Sequence, residues 1–291
     1  MEMEKVLEVV KKNTDRRKFM KAAGFAGIGA AAATTLLAAG TASAQAGNSS
    51  STTVSDPRTK DTPAQIFTAA LIAEDLAATF YYNGLIGPVI QDPNLAGPGG
   101  TATHVTKAGN FGNVDYLRAA LTEELMHGGL FRTLLGISDP SADPVQTFYF
   151  PDGVFDTLDP FIATLEALEN AFIGAYLNAV AEFGRMAGVA GAGSDYSSNT
   201  LAYFAEVASA ILGIESEHRT LGRVIANKNP ANNRNYELVS GVYSVYNGKH
   251  SAVAALTPFL TASTGPAYSF ADAVANAPSV EARTGGGLPP K

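Results

Sequence analysis

Apolar residues recur at intervals of three and four along four long segments of the 291-residue chain, which is the pattern of an α-helix with one buried face. Asp61 or Thr62 is placed to cap the first segment, and Asn113 and Asn199 are placed to cap the second and fourth. Gly136 follows the second segment as a helix stop. The pattern therefore predicts four long helices, over residues 63–83, 114–135, 158–186 and 200–228.

The lengths of the connections indicate how these helices are arranged. Residues 136–157 are long enough to run along a helix bundle, whereas a shorter Gly/Ser loop joins the third and fourth helices. The sequence therefore predicts an all-α fold, with a four-helix bundle over residues 61–228 and one long crossover between helices two and three. Residues 229–291 are predicted to form a C-terminal extension with turns and one short apolar helix in "SAVAALTPFL".

The first part of the chain has a different composition from the rest. Paired arginines, Arg16 and Arg17, precede an Ala/Gly-rich apolar run over residues 22–39, and A-x-A sites end at Ala44 or Ala46. The run is short and weakly apolar for a membrane anchor, and the segment resembles a bacterial twin-arginine (Tat) signal peptide, a route that exports folded proteins. We therefore expect a periplasmic or extracellular protein that keeps no membrane span after cleavage. The predicted divisions are a signal peptide over residues 1–44 and a disordered, polar linker over residues 45–60.

Removal of the predicted signal peptide leaves a strongly acidic protein. Residues 1–44 carry 7 of the 20 Lys and Arg and 4 of the 27 Asp and Glu, so the remainder keeps 13 basic and 23 acidic residues and a net charge of −10. This charge excludes nucleic acid and anionic lipid as electrostatic partners. The chain contains no Cys, which excludes disulfides, thiolate metal sites and a Cys nucleophile. Any bound metal must therefore have oxygen and nitrogen ligands.

Polar residues interrupt the predicted buried stripe of the second helix. Glu124 stands on the stripe of Leu117, Leu121 and Phe131, and His127 follows one turn later. Burying a lone carboxylate costs roughly several kcal/mol, so Glu124 needs a proton, a partner or a metal ion.

The fourth helix repeats this arrangement. Glu215 and His218 again form E-x-x-H, on the stripe of Ala208 and Ile211. A Glu and a His three residues apart lie on one helix face, so one helix can offer both side chains to one site. The off-stripe residues Glu123 and Glu217 are expected to be surface charges.

The first and third helices carry a second repeated motif. Glu74 stands seven residues before Tyr81, and Glu169 stands seven before Tyr176. The order E-x6-Y, E-x-x-H thus occurs twice, which indicates two related helix hairpins about a pseudo-twofold axis. Glu166, one turn before Glu169, is an alternative ligand, and the repeat favours Glu169. The two tyrosines either hydrogen bond the ligands or are simply core aromatics.

Four carboxylates and two imidazoles are the inventory that a pair of divalent metal ions needs. The carboxylates balance the four positive charges, and the imidazoles favour iron or manganese over calcium. In motif, order and topology, residues 61–228 resemble the ferritin-like di-iron/di-manganese carboxylate superfamily, in which two helices give one Glu each and two give Glu-x-x-His. Within it the chain is most similar to exported bacterial ferritin-like proteins related to plant desiccation-related proteins, whose tail resembles "HRTLGRVIANKNPANNRNYE".

The resemblance implies a dinuclear centre of two Fe or two Mn ions. Glu124 and Glu215 would bridge the ions, and the remaining ligands would be Glu74 with His127 for one ion and Glu169 with His218 for the other.

The family has no single settled activity, so several functions are compatible with the motifs. The first expectation is a di-metal oxidoreductase that oxidises Fe(II) or removes peroxide in stress protection, with oxygen or peroxide as substrate. The alternatives are extracytoplasmic iron sequestration and a non-catalytic stress, desiccation or cell-envelope structural protein in which the metal is a staple. Self-assembly into a homo-oligomer through helix faces is compatible with each of them.

Overall fold

The computed structural model describes residues 61–92, 95, 111–189, 195–229 and 241–283, and the predicted signal peptide and linker lie outside them. The described residues are mostly helical, which confirms the all-α prediction at that level. None of the helices in this part of the chain is long and apolar enough to span a membrane. The helices are α1 Pro63–Ile86, α2 Phe111–Leu135, α3 Leu158–Val189, α4 Ser198–Ile225, α5 Ala252–Leu256 and α6 Phe270–Arg283.

Capping residues explain where α1 begins and where α2 ends. Thr62 Oγ1 accepts a hydrogen bond from Gln65 N at 3.2 Å, and Gln65 Oε1 accepts one from Thr62 N at 2.9 Å, which forms a capping box. After α2, Gly136 adopts a left-handed φ of 68° and Ile137 N donates to Arg132 O at 2.8 Å. The predicted cap at Thr62 and stop at Gly136 are therefore confirmed.

The predicted N-caps at Asn113 and Asn199 are wrong. Asn113 lies inside α2, and its side-chain amide donates to Leu95 O. The cap of α4 is Ser197, whose Oγ accepts from Thr200 N at 3.1 Å, so Asn199 lies in the first turn. α2 and α4 thus start three and two residues before the predicted positions, and at α4 an upstream serine serves as the cap.

The long helices pack in two pairs. α1 packs chiefly against α2 and α3 against α4, and smaller contacts join α1 to α3 and α2 to α4. A close approach of α1 and α3 occurs at Gly84, where Phe161 lies against the helix backbone and stacks on Phe80 with ring centroids 4.6 Å apart. The two pairs therefore face each other across one interior.

Gly84→Ala is expected to destabilise the protein by about 1–3 kcal/mol, because the new methyl group would overpack this contact. A Cβ at Gly84 would lie 2.5 Å from Phe161 Cε2, and Phe161 is fully buried. Gly184→Ala is the matched helical control, since a Cβ there meets nothing within 4 Å, and it should stabilise by up to about 1 kcal/mol. Urea unfolding of both variants measures the difference, and equal effects would contradict the packing argument.

The C-terminal extension packs back on the helices. The predicted apolar segment forms α5 and a following 3-10 turn over Thr257–Leu260, as expected. The extension also contains α6, which packs against α1, and a strand that the sequence did not predict. Strand β1, Thr147–Tyr149, pairs antiparallel with β2, Ala267–Ser269. The predicted crossover segment is thus tied to the extension.

A buried aspartate joins the start of α1 to the extension. Both carboxylate oxygens of Asp61 accept backbone hydrogen bonds: Oδ2 from Val245 N and Tyr246 N at 3.2 and 2.7 Å, and Oδ1 from Asn247 N at 3.1 Å. Asp61 N in turn donates to Glu182 Oε2 on α3 at 2.9 Å. One residue therefore fixes the relative positions of α1, α3 and the extension.

Candidate metal centre

The four long helices bring all six predicted ligands together. The candidate ligands form two groups of four residues. In each group every residue offers one ligand atom, and these atoms all lie within 4.8 Å of one another. Glu124 and Glu215 belong to both groups. Apart from His127, the members are at most 2% exposed. The first group comprises Glu74, Glu124, His127 and Glu215, and the second comprises Glu124, Glu169, Glu215 and His218.

Apolar clusters close this polar layer from both ends. On α2, Leu121 belongs to one hydrophobic cluster and Phe131 to the other. On α4, Ile225 belongs to the first cluster and Ile211 to the second. The candidate ligands of these two helices lie between the clusters, as the stripes predicted. The low local polarity makes every charge in the layer costly unless it is compensated.

In the first group, His127 Nδ1 faces three carboxylates. It lies 3.1 Å from Glu74 Oε2 and 3.8 Å from both Glu124 Oε2 and Glu215 Oε1. Three helices thus direct four donors to one point. Such convergence of carboxylates on an imidazole is suited to a divalent cation.

The second group has the same form. His218 Nδ1 lies 3.0 Å from Glu124 Oε1, 3.6 Å from Glu215 Oε2 and 3.8 Å from Glu169 Oε1. Glu124 and Glu215 each direct one oxygen to each imidazole. These two carboxylates are therefore placed between the groups, and the other four residues are placed at the two ends.

The unsatisfied polar atoms of this layer fit a bound metal. Both oxygens of Glu124, both oxygens of Glu215, Glu169 Oε2 and His218 Nδ1 are buried without a hydrogen-bond partner in the part of the chain that the structure describes. Buried polar groups in proteins are almost always satisfied, and a cation would satisfy all of these at once. The donor set can therefore hold a metal.

The side chains favour protonation when no cation is present. Burial raises the pKa of Glu124 and Glu215, and the neighbouring carboxylates raise it further. Burial also raises the pKa of Glu169 well above its usual range. Desolvation opposes the charge on His127, but Glu74 and Glu124 outweigh it and raise the pKa of the imidazole to about 11. In the absence of a metal, the centre is thus compensated by protons.

The stability of the metal-free protein should fall as the pH rises. The folded pKa of His127, about 11, lies above the ordinary value of 6.5 for histidine, so its contribution to stability is complete below pH 6.5 and disappears as the pH approaches about 11. The raised pKa of Glu124 acts in the same direction, since the folded state keeps the proton. Thermal unfolding with chelator at about pH 6 and about pH 9 measures the slope.

His127→Gln is the control for this slope, because glutamine cannot titrate, and the decrease should become shallower. Metal-loaded protein should show the opposite trend, since the ligands must lose protons to bind. A metal-free protein that becomes more stable between the two pH values would contradict the expected proton binding.

The two predicted tyrosines contact the opposite half of the centre. Tyr81 on α1 donates from its hydroxyl to Glu169 Oε1 on α3 at 2.6 Å. Tyr176 on α3 donates to Glu74 Oε1 on α1. Of the two interpretations of these residues, the structure favours hydrogen bonding to the candidate ligands. Their reciprocal arrangement follows the sequence repeat, with each phenol holding a glutamate of the other helix.

The alternative ligand on α3 is engaged elsewhere. Glu166 lies 2.9 Å from Lys228 Nζ and 3.3 Å from Arg223 Nη1, in ion pairs near the surface. Glu169 lies in the interior with the second group. The structure therefore favours Glu169 over Glu166 on α3. Glu217 is exposed, as expected.

Glu123 has a contact that the sequence did not indicate. Its Oε2 lies 2.9 Å from His218 Nε2, and its side chain is 41% exposed. Tyr116 also contacts this histidine, since its hydroxyl donates to His218 O and the two ring centroids lie 6.2 Å apart. The expectation that Glu123 is only a surface charge is wrong. The helical period shows that Glu123 is off the stripe, but only packing shows that α4 lies beside it.

A buried ion network lies next to the centre. Arg132 on α2 donates from Nη2 to Asp75 Oδ1 at 2.7 Å and from Nε to Asp143 Oδ2 at 2.6 Å. Its guanidinium also lies over the ring of Phe270, 5.3 Å from the centroid. Burial raises the pKa of Asp75 well above its usual range, and Arg132 opposes this effect. Since Asp75 follows Glu74, the network helps to fix this turn of α1.

Comparison with known proteins adds no family assignment. No family model, no curated protein and no solved structure matches this chain. The chemistry of the centre therefore rests on its donor atoms, their burial and their spacing.

Proposed function

We propose that this protein is an exported, ferritin-like four-helix bundle that binds a dinuclear iron or manganese centre and uses it to oxidise Fe(II) or to remove peroxide in stress protection. The observation that carries the proposal is the pair of donor groups that share Glu124 and Glu215. Both shared carboxylates are buried, and their oxygens have no hydrogen-bond partner among the described residues.

The composition of the centre supports iron or manganese. Each group offers three carboxylates and one imidazole, a mixed oxygen and nitrogen set, whereas calcium is bound by oxygen ligands alone. Four ionised glutamates would balance two divalent ions, which removes the main cost of burying either set of charges. Glu124 and Glu215 would bridge the ions. Glu74 with His127 and Glu169 with His218 would complete the two coordination sets.

The protein would supply orientation and a dry environment. A bound pair of iron or manganese ions supplies the capacity to exchange electrons with oxygen or peroxide. The Tyr81 hydroxyl holds Glu169, the Tyr176 hydroxyl holds Glu74, and the apolar clusters above and below keep bulk water away. These contacts orient the two end glutamates of the centre from outside it.

Export through the Tat route is part of the same proposal. That route carries folded proteins, so the centre could be loaded in the cytoplasm, where metal supply is controlled. The paired arginines at Arg16 and Arg17 support this location. In this location the acidic protein would bind metal ions as its ligands and would use oxygen or peroxide as its substrate.

The burial of the centre favours a second candidate function. Five of the six candidate ligands are at most 2% exposed, which leaves little room for a substrate to approach. A metal staple in a non-catalytic stress or cell-envelope protein needs no such access, and neither does tightly held, sequestered iron. Redox turnover separates these functions from the oxidoreductase.

The deciding experiment is metal content per chain, measured after anaerobic loading with Fe(II) or Mn(II), followed by oxygen and peroxide turnover. We expect about two ions per chain and consumption of oxygen or peroxide by the loaded protein. Two ions without turnover would favour the staple or sequestration. A protein that binds neither metal would contradict the dinuclear proposal.

A further inference from the structure

We propose that the two halves of the centre differ in affinity: the half with Glu169 and His218 holds its ion tightly, whereas the half with Glu74 and His127 exchanges its ion with solvent. This inference rests on the proposed dinuclear centre. It goes beyond the dinuclear centre in two ways. It distinguishes a tight metal position from one that exchanges with solvent, and it assigns Glu123 the role of positioning His218.

His218 is held on several sides. The ring lies 5.7 Å from that of Tyr81 in an edge-on arrangement and 6.2 Å from that of Tyr116. Its outer nitrogen, Nε2, lies 2.9 Å from Glu123 Oε2, and its side chain is only 1% exposed. Aromatic contacts and a carboxylate therefore fix the ring with Nδ1 directed at the carboxylates of the second group.

His127 lacks these supports. Its side chain is 14% exposed, and the neighbouring Met126 is 61% exposed. Its contacts with other polar groups all involve Nδ1, and within residues 61–92, 111–189, 195–229 and 241–283 no carboxylate pairs with Nε2 and no aromatic ring packs on the imidazole. Among these residues the ring is held only through Nδ1, and it is more exposed than the ring of His218, which places the route for the exchanging ion on this side.

Glu123 is the chief polar difference between the halves. A carboxylate on the outer nitrogen of a ligating histidine fixes the tautomer and raises the basicity of the inner nitrogen. Removing such a partner typically weakens metal affinity by about 10–100-fold. Because Glu123 is 41% exposed, its substitution should change this contact without disturbing the core.

The test is an anaerobic titration of the metal-free full chain with Mn(II), in which electron paramagnetic resonance measures the free ion. We expect two binding steps that differ by about 10-fold or more. Glu123→Gln, which keeps an acceptor but loses the charge, should weaken the tighter step by about 10-fold, and Glu123→Ala by up to about 100-fold. The weaker step should not change.

Two sets of variants assign the steps. His218→Ala should remove the tighter step, and His127→Ala should remove the weaker one. Glu217→Gln is the matched control, because Glu217 is an exposed glutamate on α4, and it should leave both steps unchanged. The unfolding midpoint of metal-free Glu123→Gln should match that of the unsubstituted protein, which excludes a general loss of structure.

Several results would overturn the inference. Two equal binding constants would show that the halves are equivalent, although the dinuclear proposal would survive. Equal weakening of both steps by Glu123→Gln would show that Glu123 has only a structural role. Absence of Mn(II) binding in the unsubstituted protein would overturn the proposed function and this inference with it.

Discussion

Replacing Glu124 and Glu215 together with leucine is expected to abolish metal binding and, at the same time, to stabilise the metal-free protein. These two residues belong to both donor groups, so their loss leaves only one carboxylate and one imidazole at each end. That is too few ligands to hold a divalent ion in a dry interior. Metal content should fall from about two ions per chain to none.

The opposite effect on stability follows from the charges. Without metal, four buried glutamates face two imidazoles, whereas the variant keeps one buried glutamate for each imidazole, Glu74 for His127 and Glu169 for His218. Replacing buried ionic groups by apolar residues of similar volume is commonly neutral or stabilising, by about 1–4 kcal/mol. Metal loading should reverse the order, because two ions, each at 100 times its dissociation constant, together stabilise the binding protein by about 5.4 kcal/mol.

Urea unfolding with chelator and with excess Mn(II), beside metal analysis, tests both effects. Glu166→Ala with Glu217→Ala is the matched double control, since it removes two glutamates from α3 and α4 without touching the centre. This control should keep its metal. A variant without Glu124 and Glu215 that still binds two ions would contradict the bridging assignment, and a large loss of metal-free stability would contradict the charge argument.

Arg132→Met should destabilise the protein by about 3–5 kcal/mol, because it leaves two buried carboxyl groups without their cation. Arg132 is the shared partner of Asp75 and Asp143, and it also contacts Phe270 at the start of α6. Its loss should therefore loosen α6 together with the turn of α1 that carries Glu74. Chemical unfolding measures the stability, and hydrogen exchange should locate the loosened segments.

A triple variant tests the cause of this loss. Adding Asp75→Asn and Asp143→Asn to Arg132→Met removes the uncompensated charges and should recover part of the stability. Lys249→Met in the extension is the control for removing an exposed cation, and it should change stability by about 0.5 kcal/mol or less. No recovery in the triple variant would assign the loss to packing on Phe270 instead of charge.

The elements that could be predicted from the sequence are those governed by local patterns. The stripes on α2 and α4 placed Glu124 and Glu215 in the interior, because helical period alone decides which side of a helix is buried. Thr62 and Gly136 marked helix ends through their own side-chain and backbone chemistry. The E-x6-Y repeat selected Glu169 over Glu166, and the structure shows the same preference.

The features that could not be predicted depend on contacts between distant segments. Glu123 on α2 contacts His218 on α4, and nothing in the sequence around Glu123 indicates that neighbour. The pairing of Thr147–Tyr149 with Ala267–Ser269 joins two three-residue strands more than 100 residues apart, too short to give a period of two. The last helix contains Pro278, a residue that argues against a helix in any sequence pattern.

The reciprocal tyrosines make each half of the molecule chemically incomplete. The glutamate of α1 is held by a phenol of α3, and the glutamate of α3 by a phenol of α1. A single helix pair, with its own E-x6-Y and E-x-x-H, therefore contains every residue type of the centre but cannot satisfy its own glutamate. Only two such units facing each other can do so. If the repeat arose by gene duplication, a symmetric dimer of single units could have made the same exchange between subunits, and fusion would then have turned a contact between subunits into one within a chain.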